Sequence, residues 1–394
     1  MIELNSEYEV YINDEDSIGN GITRINNFVV FVSGALKNEK MIIKITELNK
    51  KYAKGKIINI IEPSSNRKDV KCSSYINCGS CSFLHTSKSH ELEIKYNAVK
   101  KLFNRDIELI DLNNEYYYRN KAIFHVSNNK IGYYSEKTHN IIEFNECLLL
   151  DKRINELYKY FKGINLKTIN EILIRTTESE IMIKTDGVFD YNELISKFNI
   201  DSLYINDECV YGKKYLTEII NGIKYTINPD SFFQVNKEGM IAIYNKVKEY
   251  AATGNKLLDL YCGTGTIGIY LKDNYKNVVG IEVNKSSIIN ANLNKDINGI
   301  HNIKFILNDS KNALKDKYDT IIVDPPRNGL SREVVNYLNN SKSNKIIYVS
   351  CNYKTLKRDI DLISNYEITN ISMVNMFSKT YHIEVICLLE NKKV

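Results

Sequence analysis

The sequence predicts a multidomain chain with a small N-terminal β-barrel, an α+β middle and a C-terminal doubly wound α/β domain. Three observations predict it. At 394 residues the chain exceeds a single domain of ordinary size, for which about 150 residues is typical. The first 62 residues hold short β-rich runs parted by turn residues, and from Lys256 onward apolar runs alternate with helix-like segments. Where these patterns change, the boundaries fall at 1–62, 63–250 and 251–394.

In the first segment, residues 8–12, 28–32, 41–45 and 52–61 read as strands, broken by Gly19-Asn-Gly21 and by the turn at 34–40. Short strands at this spacing suit a small barrel. The middle carries a cysteine-rich stretch, a helix over 90–103 and β-like runs at 116–126, 131–134 and 172–184. In the last segment, apolar runs at 257–261, 278–283, 303–307, 320–323 and 346–349 are separated by helical patterns. That alternation is the βαβ signature of a parallel sheet. Runs at 371–377 and 382–389 have no helix between them and read as an antiparallel pair at the sheet edge.

Hydrophobic residues make up 43% and charged residues 26%, close to soluble globular averages. With no leader pattern at Met1 and no apolar run of membrane-spanning length, a cytoplasmic protein without a membrane partner is expected, and no obligate protein partner is implied. Lys and Arg number 53 against 48 Asp and Glu, a net charge of +5. So small a surplus does not announce a polyanion binder. It is concentrated in 63–100 and 251–394, where contacts to a polyanion are therefore expected. Proline occurs only four times, at 63, 229, 325 and 326, against an average near 5%, so the adjacent pair marks a required rigid turn.

The first strand of the α/β segment runs into Asp259-Leu-Tyr-Cys-Gly263-Thr-Gly265-Thr-Ile-Gly268. Small residues at a strand-to-helix turn let a ligand approach the backbone, and Glu282, ending the next strand, can accept both ribose hydroxyls. Glycines alone also suit a dinucleotide. Asp259 inside the turn would repel a pyrophosphate and favours the cationic sulfonium of S-adenosylmethionine. Asp324-Pro-Pro-Arg327 ends the fourth strand at the edge where ligands of such sheets lie. Asp309, ending the third, is placed either for the adenine or as a helix N-cap.

After the fifth strand comes Ser350-Cys351-Asn352. A thiol between strand end and helix start lies at the same crevice, and a helix N-terminus favours the thiolate. Such a nucleophile is what pyrimidine C5 chemistry needs, because C5 becomes a good carbanion only after addition at C6. The proton left on C5 then requires a base, for which Glu384 is the candidate and His382 the rival. Cys72, Cys78 and Cys81 are close enough in sequence to share one metal centre, with Cys147 the nearest candidate for a fourth ligand. Four thiolates suit zinc or an iron-sulfur cluster; the absence of paired Cys-x2-Cys spacing favours iron-sulfur.

Together these residues resemble the RNA uracil-5-methyltransferase family over nearly the whole chain. The resemblance carries Ser231-Phe-Phe-Gln234-Val-Asn236, Asp259-Leu-Tyr261-Cys-Gly, Glu282, Asp324-Pro-Pro-Arg, Ser350-Cys351-Asn352 and His382-Ile-Glu384, with Tyr118-Arg-Asn-Lys121 as a central-domain motif. It implies an OB-like TRAM barrel that binds RNA and a Rossmann-like class I methyltransferase domain. Gln234, Tyr261, Glu282 and Asp324, with Thr266 and Asp309, would bind S-adenosylmethionine. Cys351 would be the nucleophile and Glu384 the base, while Cys72, Cys78, Cys81 and Cys147 would hold a 4Fe-4S cluster. Many members have Pro at the positions of Lys71, Tyr353 and Ser378, which bears on turn rigidity. Carrying both barrel and cluster implies the branch acting on 23S ribosomal RNA, since the branch acting on the tRNA T-loop generally lacks both. The alternatives are methylation of tRNA uracil, methylation of cytosine C5 or an exocyclic amine, and a non-catalytic iron-sulfur RNA-binding protein. Arg327, where amine enzymes usually place an aromatic ring, argues against the amine.

Overall fold

A computed structural model describes residues 2–135, 138–312 and 316–392 of the chain. It divides into two compact units, one of residues 1–101, 132–148 and 377–382, the other of 102–131, 149–376 and 383–394.

The first unit begins with six strands: β1 (Glu7–Tyr11), β2 (Asp14–Glu15), β3 (Asn20–Ile25), β4 (Phe28–Ser33), β5 (Lys40–Leu48) and β6 (Tyr52–Glu62). Alternating side chains bury Val10, Val30, Val32, Met41, Ile43, Ile45 and Ala53 in one core, the period-2 burial that a sheet with one solvated face requires. The expected closed barrel is not formed. The sheet runs in the order β1-β5-β6-β4-β3-β2, and its end strands do not pair with each other. Between them the chain bends at Ile12 and Asn13, whose amides bond to the Glu39 and Ile22 carbonyls instead. β3 occupies what the glycines at 19 and 21 mark as a break. Gly21 belongs inside a strand because a Cβ there would come within 2.7 Å of the Ala35 Cβ and 2.8 Å of Ile12.

After the cysteine segment comes α1 (Lys88–Phe103). The chain then gives β7 (Glu108–Ile110) and β8 (Lys121–Ser127) to the second unit, followed by β9 (Lys130–Tyr134) and β10 (Ile141–Ile142), which pair antiparallel.

In the second unit, α2 (Lys152–Lys162) precedes β11 (Glu171–Thr176) and β12 (Ile181–Thr185), a hairpin that divides the β-like run at 172–184 in two. There follow α3 (Asn192–Lys197), β13 (Ser202–Ile205), β14 (Glu208–Gly212) and the ribbon of β15 (Leu216–Ile220) and β16 (Ile223–Ile227). Strands β8, β11, β12, β13 and β14 are successive neighbours in one sheet.

The rest alternates: α4 (Lys237–Ala251), β17 (Gly254–Leu260), α5 (Thr266–Tyr270), β18 (Tyr275–Glu282), α6 (Lys285–Ile297), β19 (Ile303–Leu307), β20 (Thr320–Val323), α7 (Arg332–Asn340), β21 (Lys345–Ser350), α8 (Tyr353–Leu362), β22 (Tyr366–Val374) and β23 (Glu384–Asn391). The sheet order is β19-β18-β17-β20-β21-β23-β22-β7. Its first five strands are parallel. Leu257, Leu258, Leu260, Ile321, Ile322 and Val323 are fully buried, as both-face coverage of parallel strands requires. The final two strands pair antiparallel as expected, but β23 lies between β21 and β22, and β7 forms the edge beyond them. Three residues are too few for β7 to show a period in the sequence. Among the described residues, no helix is long and apolar enough to cross a membrane.

Candidate active site

The strand order reverses between β17 and β20, and ligands of such sheets lie at the carboxyl ends beside that point. Register pairs Leu260 with Ile281 and with Val323, and Val323 with Tyr348. Tyr261, Glu282, Asp324 and Cys351 therefore leave the sheet along one edge. β23 arrives from the opposite direction, with Val385 paired to Ser350. Cys351 follows Ser350 and Glu384 precedes Val385, and the Glu384 carboxyl acts through its charge on the Cys351 thiol.

The turn after β17 has an unusual backbone. Tyr261 (φ 62°) and Gly265 (φ 77°) both take the left-handed conformation. A Cβ at Gly265 would lie 2.4 Å from the Phe305 ring. Asp259 is buried and accepts the Gly268 amide at 3.0 Å through one oxygen, while the other has no hydrogen-bond partner. Burial raises its carboxyl to about 8 against the Gly268 bond, helped by Asp324 and Glu282. Glu282 is braced by the Gly263 amide at 3.1 Å and the Asn284 amide at 2.8 Å.

The Asp324 carboxyl is enclosed, although the residue keeps some accessible surface, and burial raises it to about 7. Burial lifts Glu384, which is 5% exposed, well above the carboxylate range; Asp324 adds to this and Arg327 opposes it. The half-buried Cys351 thiol is raised by burial and then by Glu384 and Asp324, with the Arg327 guanidinium opposing through its charge and a hydrogen bond. Asp259, Glu282, Asp324 and Glu384 thus act on one another or on the thiol along this edge, and the Arg327 guanidinium opposes at Glu384 and Cys351. Such a site is short of positive charge and suits a cationic ligand.

Three further residues complete the picture of the edge. Thr266, opening α5, accepts the Tyr244 hydroxyl at 2.7 Å. Asp309 spends its carboxylate on the Lys311 amide at 3.0 Å and ammonium at 3.2 Å, which lowers it, and it is the leading charge acting on Tyr261, which burial pushes up to about 12. Gln234 is half-buried in the 231–236 loop. That loop is fixed by residues outside the sequence candidates: fully buried Arg175 donates to the Ser231 and Phe233 carbonyls at 3.2 and 2.6 Å, and Asn120 donates its amide to the Val235 carbonyl at 2.9 Å and its side chain to the Gln234 carbonyl at 3.4 Å. A lone Arg inside the apolar run Ile172-Leu-Ile-Arg175 was the signal for it.

The loop bearing Arg327 is held by α8. Asn352, its N-cap, donates to the Arg327 carbonyl at 3.2 Å, as does Thr355, and Asp359 accepts the Leu330 amide at 2.7 Å.

Within the first unit, Cys72, Cys78, Cys81 and Cys147 line one cavity of about 30 Å³, with Tyr75, Tyr133 and Phe144. Among the described residues the expected iron-sulfur centre is not shown. Among the described residues, no three His, Cys, Asp or Glu side chains converge as metal ligands. Cys78 donates to the Ser80 hydroxyl at 3.2 Å. His382 packs against Phe377 and Tyr381 in this unit.

A doubly wound sheet with an acid-rich, glycine-turned crevice defines a nucleotide-cofactor transferase of the class I methyltransferase fold. Comparison with known proteins gives the family. The pattern of the tRNA (Uracil-5-)-methyltransferase family matches residues 193–392, and that of the TRAM domain matches residues 3–58. An "Uncharacterized RNA methyltransferase" of Clostridium tetani is 33% identical over 98% of this chain and 97% of its own. Another of that description from Clostridium acetobutylicum is 33% identical over 99% and 98%. The crystal structure of the Pyrococcus abyssi tRNA (uracil-54, C5)-methyltransferase with S-adenosyl-L-homocysteine superposes with a TM-score of 0.84 at 25% identity, covering 97% of this chain and 99% of that one. The chain belongs to the uracil-5-methyltransferase family: it is an S-adenosylmethionine-dependent RNA methyltransferase carrying a TRAM domain.

Proposed function

We propose that the protein methylates C5 of a uridine in 23S ribosomal RNA through a covalent adduct between Cys351 and uracil C6. The observation that carries the chemistry is the electrostatic grouping of Cys351 with Glu384, Asp324 and Arg327 where paired β21 and β23 meet at Ser350 and Val385. S-adenosylmethionine supplies an electrophilic methyl group on a cationic sulfur. Gln234, Tyr261, Glu282 and Asp324 would hold it, with Thr266 and Asp309 at the margin and Asp259 supplying negative charge.

The Cys351 thiolate, favoured by Arg327, adds to C6 and pushes the C5–C6 π electrons toward O4. C5 takes the methyl group, leaving S-adenosylhomocysteine. The Glu384 carboxylate removes the C5 proton, and the freed pair restores the C5–C6 double bond while the thiolate leaves. Enclosure of Glu384 strengthens it as a base once ionised. The target uridine must be unstacked to reach such an edge.

Residues 1–62 and 63–250 would hold the RNA, leaving 251–394 for catalysis. A groove of about 440 Å³ in the first unit is lined by Phe31, Tyr52, Tyr75, Tyr381 and Lys54, side chains suited to stacking unpaired bases. For the four cysteines we infer a 4Fe-4S cluster: all four line one cavity, and four thiolates are the donor set of such a cluster.

The TRAM domain and the cysteines favour ribosomal RNA, whereas the Pyrococcus abyssi enzyme, named for tRNA, matches 97% of this chain and favours tRNA as the second reading. Incubation with S-adenosylmethionine and, separately, 23S and tRNA transcripts, followed by nucleoside mass spectrometry, tests both. 5-Methyluridine in 23S RNA is expected. 5-Methyluridine in tRNA alone would overturn the substrate, and methylcytidine or an N-methylated base would overturn the chemistry.

A further inference from the structure

The first unit buries an ion network that the chemistry above does not use. Glu91, in the first turn of α1, is fully buried, as is Lys95 one turn on, and Lys379 is 1% exposed. Lys95 donates to Glu91 at 2.7 Å and to the Phe377 carbonyl at 3.2 Å. The Lys379 amide donates to Glu91 at 2.9 Å, and its ammonium lies 3.4 Å from the other Glu91 oxygen. Lys379 adopts the left-handed conformation (φ 65°), which a β-carbon disfavours and which persists only where surroundings over-determine it. Its carbonyl accepts the Ser82 and Phe83 amides at 2.9 and 3.1 Å, directly after Cys81.

Two ammonium groups and one carboxylate withdrawn from water are a poor way to gain stability alone. What they hold is one short segment, 377–382, at Phe377 and Lys379. That segment connects β22 to β23, and β23 begins at Glu384, two residues past His382. We propose that Glu91 is a positioning residue for Glu384: through Lys95 and Lys379 it fixes the 377–382 segment that delivers the base to its strand, and it ties that delivery to the cysteine segment. The proposal rests on the reading of Glu384 as the C5 base.

A misplaced base acts at one step only. Addition of Cys351 and methyl transfer precede proton removal, so displacement of Glu384 leaves the first turnover intact and traps the methylated adduct. Labelled methyl transfer, followed with RNA in excess over wild type, E384Q, E91Q and the uncharged E91Q/K95M/K379M variant, reads this directly. Each variant is first checked for S-adenosylmethionine affinity and for its melting transition.

E384Q should give one labelled methyl per enzyme and then stall, with a denaturation-resistant RNA adduct. E91Q and the triple variant should show the same burst, turnover lowered about 10- to 100-fold, and the same adduct in smaller steady amount. If E384Q gives no adduct, the reading of the base is wrong. If E384Q traps it while the Glu91 variants turn over normally, lose burst and turnover together, or both fail to fold, the positioning role is overturned and the network serves stability alone.

Discussion

Cys351 follows β21 and Glu384 opens β23, and the two come to one place because β23 runs antiparallel to β21. Their residue types were legible in the sequence: a thiol at a strand end and an acid opening an apolar strand each sit where an idle polar group would be costly. Their juxtaposition was not, because strand order is a property of pairing across the chain. Cys351→Ala should lower turnover about 10,000-fold or more while leaving S-adenosylmethionine affinity within a few-fold, measured by calorimetry. The acids set the pH behaviour. Asp259 and Asp324 are raised from 3.8 to about 8 and about 7, so their protonated forms suit the empty fold. Stability of the ligand-free protein should fall as pH rises from about 4 through 8, because the unfolded chain ionises these carboxyls first. A cation favours their ionised forms, so S-adenosylmethionine should bind more tightly at pH 8.5 than at pH 6. Melting curves with and without the cofactor at both values check this; an affinity that weakens with rising pH would contradict it.

At the scale of elements, the parallel strands were legible because buried runs such as residues 321–323 are apolar throughout. β7 and β3 were not, one for its length and the other because its glycine answers a close approach that only the fold creates. The loop holding Gln234 shows the same limit: its sequence named the cofactor candidate, while Arg175 and Asn120, which fix its carbonyls, lie 59 and 114 residues earlier in the chain. Arg175→Met should destabilise the protein by about 2 kcal/mol, since two charge-assisted hydrogen bonds to buried carbonyls are lost, and weaken S-adenosylmethionine about 10-fold. Urea unfolding and equilibrium binding on the same variant separate the two effects. Asn352→Ala removes the α8 cap and a bond to the Arg327 carbonyl; about 1 kcal/mol of stability and a raised Cys351 thiol pKa, read from the pH dependence of its alkylation, are expected.

For the whole molecule, composition gave little and pattern much. A net charge of +5 is nearly silent about RNA, and the TRAM match speaks where charge does not. The cysteine spacing was informative because Cys72, Cys78, Cys81 and Cys147 line one cavity despite their separation in sequence, although spacing could not show that, among the described residues, no metal-holding group is formed. Anaerobically purified protein should carry close to four irons per chain, lost in Cys78→Ala; zinc at one per chain would contradict the cluster. The central claim, a covalent route to uridine C5, is tested most directly by mass spectrometry of the denatured enzyme after incubation with S-adenosylmethionine and RNA substituted with 5-fluorouridine, whose C5 fluorine cannot leave as a proton. A methylated RNA adduct mapped to Cys351 is the predicted result. Methyl transfer to unsubstituted RNA with no adduct to the fluorinated one would contradict it.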